Sequence, residues 1–111
     1  MEIQERRHGA VVVLKPMGPL CQDDAEIFRQ RLLAVMAKSR GRFVVDASAV
    51  PYVDSKGLEA MVDTSEALSQ SGQSLKLCTA NNTLREVLDL TDLSSQFESF
   101  EEVTDAVRSF L

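Results

Sequence analysis

Phe43-Val44-Val45-Asp46-Ala47-Ser48-Ala49-Val50-Pro51-Tyr52-Val53-Asp54-Ser55-Lys56-Gly57-Leu58-Glu59-Ala60 changes hydrophobic period in the middle. Phe43, Val44 and Val45 form a short apolar run ending in Asp46, the pattern of a buried strand. A polar loop follows from Ala47 to Ser55. Beyond it Leu58, Met61, Val62 and Leu68 recur at helical spacing until Ser71-Gly72 ends the stripe. A strand that hands over to a helix through a polar bend places Asp46 at the carboxyl end of that strand, where α/β proteins gather ligand groups. The same carboxylate can instead accept backbone hydrogen bonds and steady the loop.

Towards the N-terminus, Ala10 to Leu14 is a valine-rich run bounded by Gly9 and Pro16 and reads as a second buried strand. Ile3 to Arg6 is a weaker strand, and Arg7-His8-Gly9 is placed to turn the pair into a hairpin. Pro16-Met17-Gly18-Pro19 reads as a loop. Ala25, Phe28, Leu32, Val35 and Met36 then mark a helix, with Asp23 and Glu26 spaced as a helix start and Gly41 as its end. Towards the C-terminus, Leu75 to Cys78 is a strand and Leu84, Val87 and Leu88 mark a short helix after Asn81-Asn82. Phe97 to Phe100 reads as one more strand. Ser99 and Glu102 fit a capping box before Val103, Ala106, Val107 and Phe110. Strands therefore alternate with about four helices after an opening hairpin, which predicts one α/β domain over residues 1–111 with a mixed, mainly parallel sheet.

Composition narrows the function. At 111 residues, 44% hydrophobic and 26% charged, the chain can bury a core without disulfides or metal. A net charge of −5 with no evident basic cluster argues against a nucleic-acid ligand and against an anionic membrane surface. Cys21 and Cys78 are far apart and the sole histidine, His8, has no cysteine near it, so neither a metal site nor a cofactor is expected. The charged N-terminus and the lack of any apolar run near ~20 residues predict no membrane insertion and a cytoplasmic protein. No G-x-G-x-x-G, G-K-[ST] or H-E-x-x-H motif is present, and no nucleophile and base are paired, so an enzyme is not expected.

The central stretch resembles the STAS domain, shared by anti-sigma-factor antagonists and sulfate transporters. Its hallmark is a strand ending D-x-S, then a loop V-x-x-x-D-S/T-x-G-L that opens a helix. Here the match is Asp46-Ala47-Ser48, Val50, Asp54-Ser55 and Gly57-Leu58. The opening hairpin, Gly18-Pro19-Leu20 and Leu90-Thr91-Asp92-Leu93 look like that family as well, so the resemblance spans nearly the whole chain. It implies a regulatory module that works by partner switching. A serine at the start of the second helix is phosphorylated by a GHKL-type kinase that doubles as an anti-sigma factor, and the unphosphorylated form binds that kinase and frees its target.

The chain departs from this pattern at two positions, one of them Cys21, where the family commonly has an acidic residue after Gly18-Pro19-Leu20. At the other, the modified serine of the antagonists usually precedes the glycine directly, and Lys56 stands there. Ser55, one residue earlier, is the only hydroxyl left in the motif and is the candidate acceptor. Taken alone, Ser55 or Asp54 reads equally as a helix N-cap. Lys56 at a helix start opposes the macrodipole by roughly 0.3–1 kcal/mol. It is expected to pair with an acidic partner group or to be compensated by Asp54 or Glu59. The expected contact surface comprises Val50, Tyr52, Asp54, Ser55, Lys56, Gly57 and Glu59. An alternative follows from the same resemblance: STAS accessory subunits of lipid-transport ABC systems carry a threonine matched by Ser55, followed by a small residue and Gly-Leu, and such a module would bind the transporter ATPase.

Overall fold

The valine-rich run becomes an inner strand of a five-stranded sheet in the computed structural model, which describes residues 1–111. Strands β1 (Glu2–His8) and β2 (Val11–Met17) pair antiparallel. From β2 onward the sheet is parallel through β3 (Phe43–Asp46), β4 (Leu75–Cys78) and β5 (Phe97–Phe100). The spatial order is β1-β2-β3-β4-β5. Short apolar strands linked by helices favour this parallel arrangement, since each crossover must cover one sheet face. The hairpin is longer than its apolar residues suggested: His8 is the last residue of β1, opposite Val11, and the turn is Gly9-Ala10. Gly9 supplies the positive φ of 65° that this turn needs.

Strand alternation splits the core. Val12, Leu14, Val45 and Leu77 face α1 (Gln22–Ser39), α2 (Ser55–Ser69) and α3 (Asn82–Leu90), where they meet Phe28, Leu32, Met61, Leu68 and Leu84. Their strand neighbours Val11, Val44 and Cys78 face the other way and lie under Ala106 of α4 (Val103–Arg108). Most residues of the helix stripes read from the sequence are buried or packed against the core, because both depend on the same spacing.

Two helix starts differ from expectation. Helix α1 begins at Gln22 behind Cys21, which makes no side-chain cap, and Asp23 lies already inside the first turn. Ser99 stays in β5, and Glu102 precedes α4 with no side-chain cap. Spacing alone suggested both boxes, but capping also needs the preceding backbone to turn the side chain inward. Helix α4 is also short, and Phe110 packs on the core from beyond its end. A single 3-10 turn, Ser94–Gln96, leads into β5.

Lys76 is the one buried cation of the sheet. Its Nζ donates to Ser109 Oγ at 2.6 Å, lies 3.5 Å from Glu98 Oε2 and sits 4.0 Å from the centre of the Phe110 ring. A hydroxyl, a carboxylate and a π face together replace the water its ammonium loses, and they tie the C-terminal segment to β4.

Candidate functional site

The bend after β3 is held from several sides by groups far apart in sequence. Asp46 Oδ1 accepts from the Ser48 N–H at 3.0 Å, and Ala47 N–H donates to the Cys78 carbonyl at 2.9 Å. Of the two roles open to Asp46, the buried carboxylate therefore serves the loop. Asn81 Nδ2 donates to the carbonyls of Val50 and Pro51 at 3.2 and 3.1 Å, while its Oδ1 caps α3 through the Leu84 N–H at 2.8 Å. This double role was not anticipated. The N-cap half was readable from Asn81 standing before an apolar helical stripe, whereas the clamp across about thirty residues had no local signal.

On the opposite side the chain just before α1 runs beside the bend. Leu20 N–H donates to the Tyr52 carbonyl, and Asp54 N–H donates to the Leu20 carbonyl, both at 3.1 Å. Leu20 and Val53 thus form an isolated parallel bridge. Asp54 completes the junction: Oδ1 accepts from Gly57 N–H and Oδ2 from Gln22 N–H, each at 2.9 Å. One carboxylate thereby caps α2 and holds the first residue of α1, which has a positive φ of 52°. The N–H of Gly57, then that of Gln22, hold the Asp54 carboxyl below the usual aspartate range.

This has a consequence for pH. With its folded pKa depressed, Asp54 contributes stability above the unfolded value of 3.8 and loses it as pH falls from there through the folded pKa. The Tm difference between the wild type and Asp54→Ala is expected to be constant near neutrality and to shrink below about pH 4. Thermal unfolding across that range checks it, and a difference independent of pH would remove the carboxylate as its source.

The expected contact residues separate into two groups. Tyr52, Ser55, Lys56 and Glu59 are exposed, and Asp54 is half-buried. Val50 and Gly57 are not on the surface. Val50 is 1% exposed within the main core and supports the bend from beneath, as an apolar side chain next to β3 would. Gly57 is buried against the Leu20 carbonyl oxygen, which a Cβ at this position would strike. The close approach that needs this glycine comes from the chain's own backbone.

Ser55 is the first residue of α2, and its hydroxyl makes no hydrogen bond within the chain, because Asp54 has taken the cap. Lys56 forms no ion pair. A groove of about 420 Å³ opens beside it between α1 and α2, lined by Asp23, Glu26, Arg29, Lys56, Glu59 and Asp63. Arg29 bridges Glu26 and Asp63 across it, each at 3.5 Å. Cys78 is buried, and desolvation with Asp46 nearby pushes its thiol up to about 11, so it is protonated at neutral pH. No three His, Cys, Asp or Glu side chains converge closely enough to hold a metal ion, and no helix is long and apolar enough to cross a membrane.

The sequence profile of the STAS domain matches residues 2–106. The chain belongs to the STAS domain family. Solved structures agree with this STAS fold. A candidate anti-sigma factor antagonist from Thermotoga maritima is 23% identical with a TM-score of 0.88, the match covering 96% of this chain and 92% of that one. An anti-sigma factor antagonist from Mycobacterium paratuberculosis is 26% identical with a TM-score of 0.80, covering 97% and 92%. The Bacillus cell fate determinant SpoIIAA in its phosphorylated form is 17% identical with a TM-score of 0.72, covering 99% and 100%. No curated protein matches the sequence. Within the STAS fold, the bend from β3 to α2 is an exposed rim on a base tied by Asp54 and Asn81.

Proposed function

We propose that this chain is a non-catalytic regulatory module of the cytoplasm, an anti-sigma-factor antagonist that works by partner switching with a GHKL-type serine kinase. Its contact surface is the rim Tyr52, Asp54, Ser55, Lys56 and Glu59, and Ser55 is the phosphate acceptor. One observation carries this reading: Asp54 performs the capping that would otherwise occupy Ser55, so the Ser55 hydroxyl is exposed and free at the start of a helix. Membership of the STAS family and the likeness to anti-sigma factor antagonists support the regulatory role. A phosphate at Ser55 would add about −1.5 to −2 charges at a helix N-terminus, where the dipole accommodates it. Lys56 beside it would offset part of that charge. The remainder would repel an acidic partner surface and leave an apolar one unable to desolvate.

Intact-mass measurement after incubation with ATP and GHKL-type kinases tests this. One phosphate is expected on the wild type and none on Ser55→Ala. Ser55→Glu is expected to weaken kinase binding by about tenfold or more, roughly 1.4 kcal/mol. Absence of phosphate with every kinase, together with unchanged binding by Ser55→Glu, would end the proposal. The hydroxyl of Ser55, two places before Gly57, favours one other reading, an accessory subunit for the ATPase of a lipid-transport ABC system. Co-purification with such an ATPase instead of a kinase would select it.

A further inference from the structure

The charge of this chain is divided along its length. Eight of the twelve Lys and Arg precede Phe43, and twelve of the seventeen Asp and Glu follow it. Strand order converts that division into one in space, because β1 is one edge of the sheet and β5 the other. On the sheet face away from α1, the antiparallel register sets Arg6 opposite Val13, His8 opposite Val11 and Lys15 opposite Gln4. Arg42 stands just before β3 beside this group, its carbonyl accepting from Val12 N–H. Arg6, His8 and Arg42 are exposed, Lys15 is half-buried, and none is in an ion pair. Helix α4 packs over β3, β4 and β5 and leaves β1 open. Glu2, at the far end, is the one acid of β1 on this face. The net charge of −5 conceals this local basic surface.

At the other edge, Glu86 to Val107 contains seven carboxylates and no Lys or Arg, flanked by Arg85 and Arg108. Lys76 engages Glu98; Glu86, Asp89, Asp92, Glu101, Glu102 and Asp105 are exposed and unpaired. We propose that the basic face of the β1–β2 hairpin docks the acidic β5 edge of a second copy of this chain. An extended polyanion laid on the basic face would also meet a molecule that is acidic overall. A second copy approaching edge-on brings its acids to the cations while the two acidic edges stay apart. The contact joins two different surfaces, so each added copy presents a free surface to the next, and the assembly grows unless its rotation closes a ring. The basic face lies across the sheet from α2, which leaves the Ser55 rim free in each copy.

Sedimentation velocity of the full chain tests this at ~0.01 M ionic strength, where the Debye length is about 30 Å, and at ~1 M, where it is about 3 Å. The mean mass is expected to rise with protein concentration at low salt and to return to one chain at high salt. Arg6→Glu/Lys15→Glu and Glu86→Lys/Asp89→Lys/Glu101→Lys/Glu102→Lys should each remain single, since each sets like charges opposite one another. Mixed together they should associate again, because both pairings are then complementary. These are surface positions, and circular dichroism should show both variants folded. A single-chain mass for the wild type at low salt overturns the proposal. So does a wild-type mass unmoved by salt, or a mixture that stays single.

Discussion

Gly57→Ala is expected to destabilise the chain by about 1–3 kcal/mol, the usual cost of forcing an atom into a packed site. A Cβ there meets the Leu20 carbonyl oxygen, a backbone atom that cannot rotate away like a side chain. That same oxygen accepts from Asp54 N–H, and Leu20 N–H donates to Tyr52, so moving it loosens both bonds of the bridge. The loss should therefore reach the rim as well as the core. Urea unfolding gives the stability, and hydrogen exchange at Leu20 and Asp54 shows where the damage falls. Lys56→Ala is the control next door: its side chain is exposed and unpaired, so a change within about 0.5 kcal/mol is expected. Equal stability of Gly57→Ala and wild type would mean that α2 is free to slide away from Leu20.

Phe28→Ala is expected to cost about 3–5 kcal/mol, against a total of about 5–15 kcal/mol for a domain of ordinary stability. Phe28 is 0% exposed and belongs to the main core between α1 and the sheet. Truncation would remove a large buried ring and leave a cavity that a helix fixed at both ends cannot close. The N-terminal anchor of α1 is the Gln22 N–H on Asp54, and near its C-terminus Lys38 bonds Glu5 at 2.9 Å. Phe28→Leu should cost less, because it keeps most of the apolar volume. Calorimetric melting of the two variants checks the order, and similar values for both would place the ring outside the packed core.

These two residues differ in how far the sequence revealed them. Phe28 falls on a stripe of period 3.6, so both its burial and its helix were legible. Gly57 was legible as part of the motif, but the group that packs against it was not. Leu20 lies 37 residues earlier, and only the bridge to Val53 brings it there. Val50 misled for a related reason: it stands in a polar loop by sequence, yet the loop folds back and sinks that side chain into the core. The competition between Asp54 and Ser55 for the cap was open from spacing alone. Backbone geometry decided it, and the acceptor reading of Ser55 gained its strongest support from the outcome.

The amino-acid order by itself fixed what depends on neighbours a few residues apart: five strands, four helices, the hairpin and the bend that joins β3 to α2. Period-two and period-3.6 patterns are local, and each element's buried face follows from its own spacing. Tertiary structure alone decided that Asn81 clamps the bend, that Asp54 joins two helix starts, that Lys76 is sheltered by Ser109, Glu98 and Phe110, and that Arg6 and Lys15 of the hairpin lie at the opposite edge of the sheet from Glu101 and Glu102. Those facts depend on strand register and on loop closure across dozens of residues. Such contacts are set by the packing of the whole core, and no short window of sequence contains it.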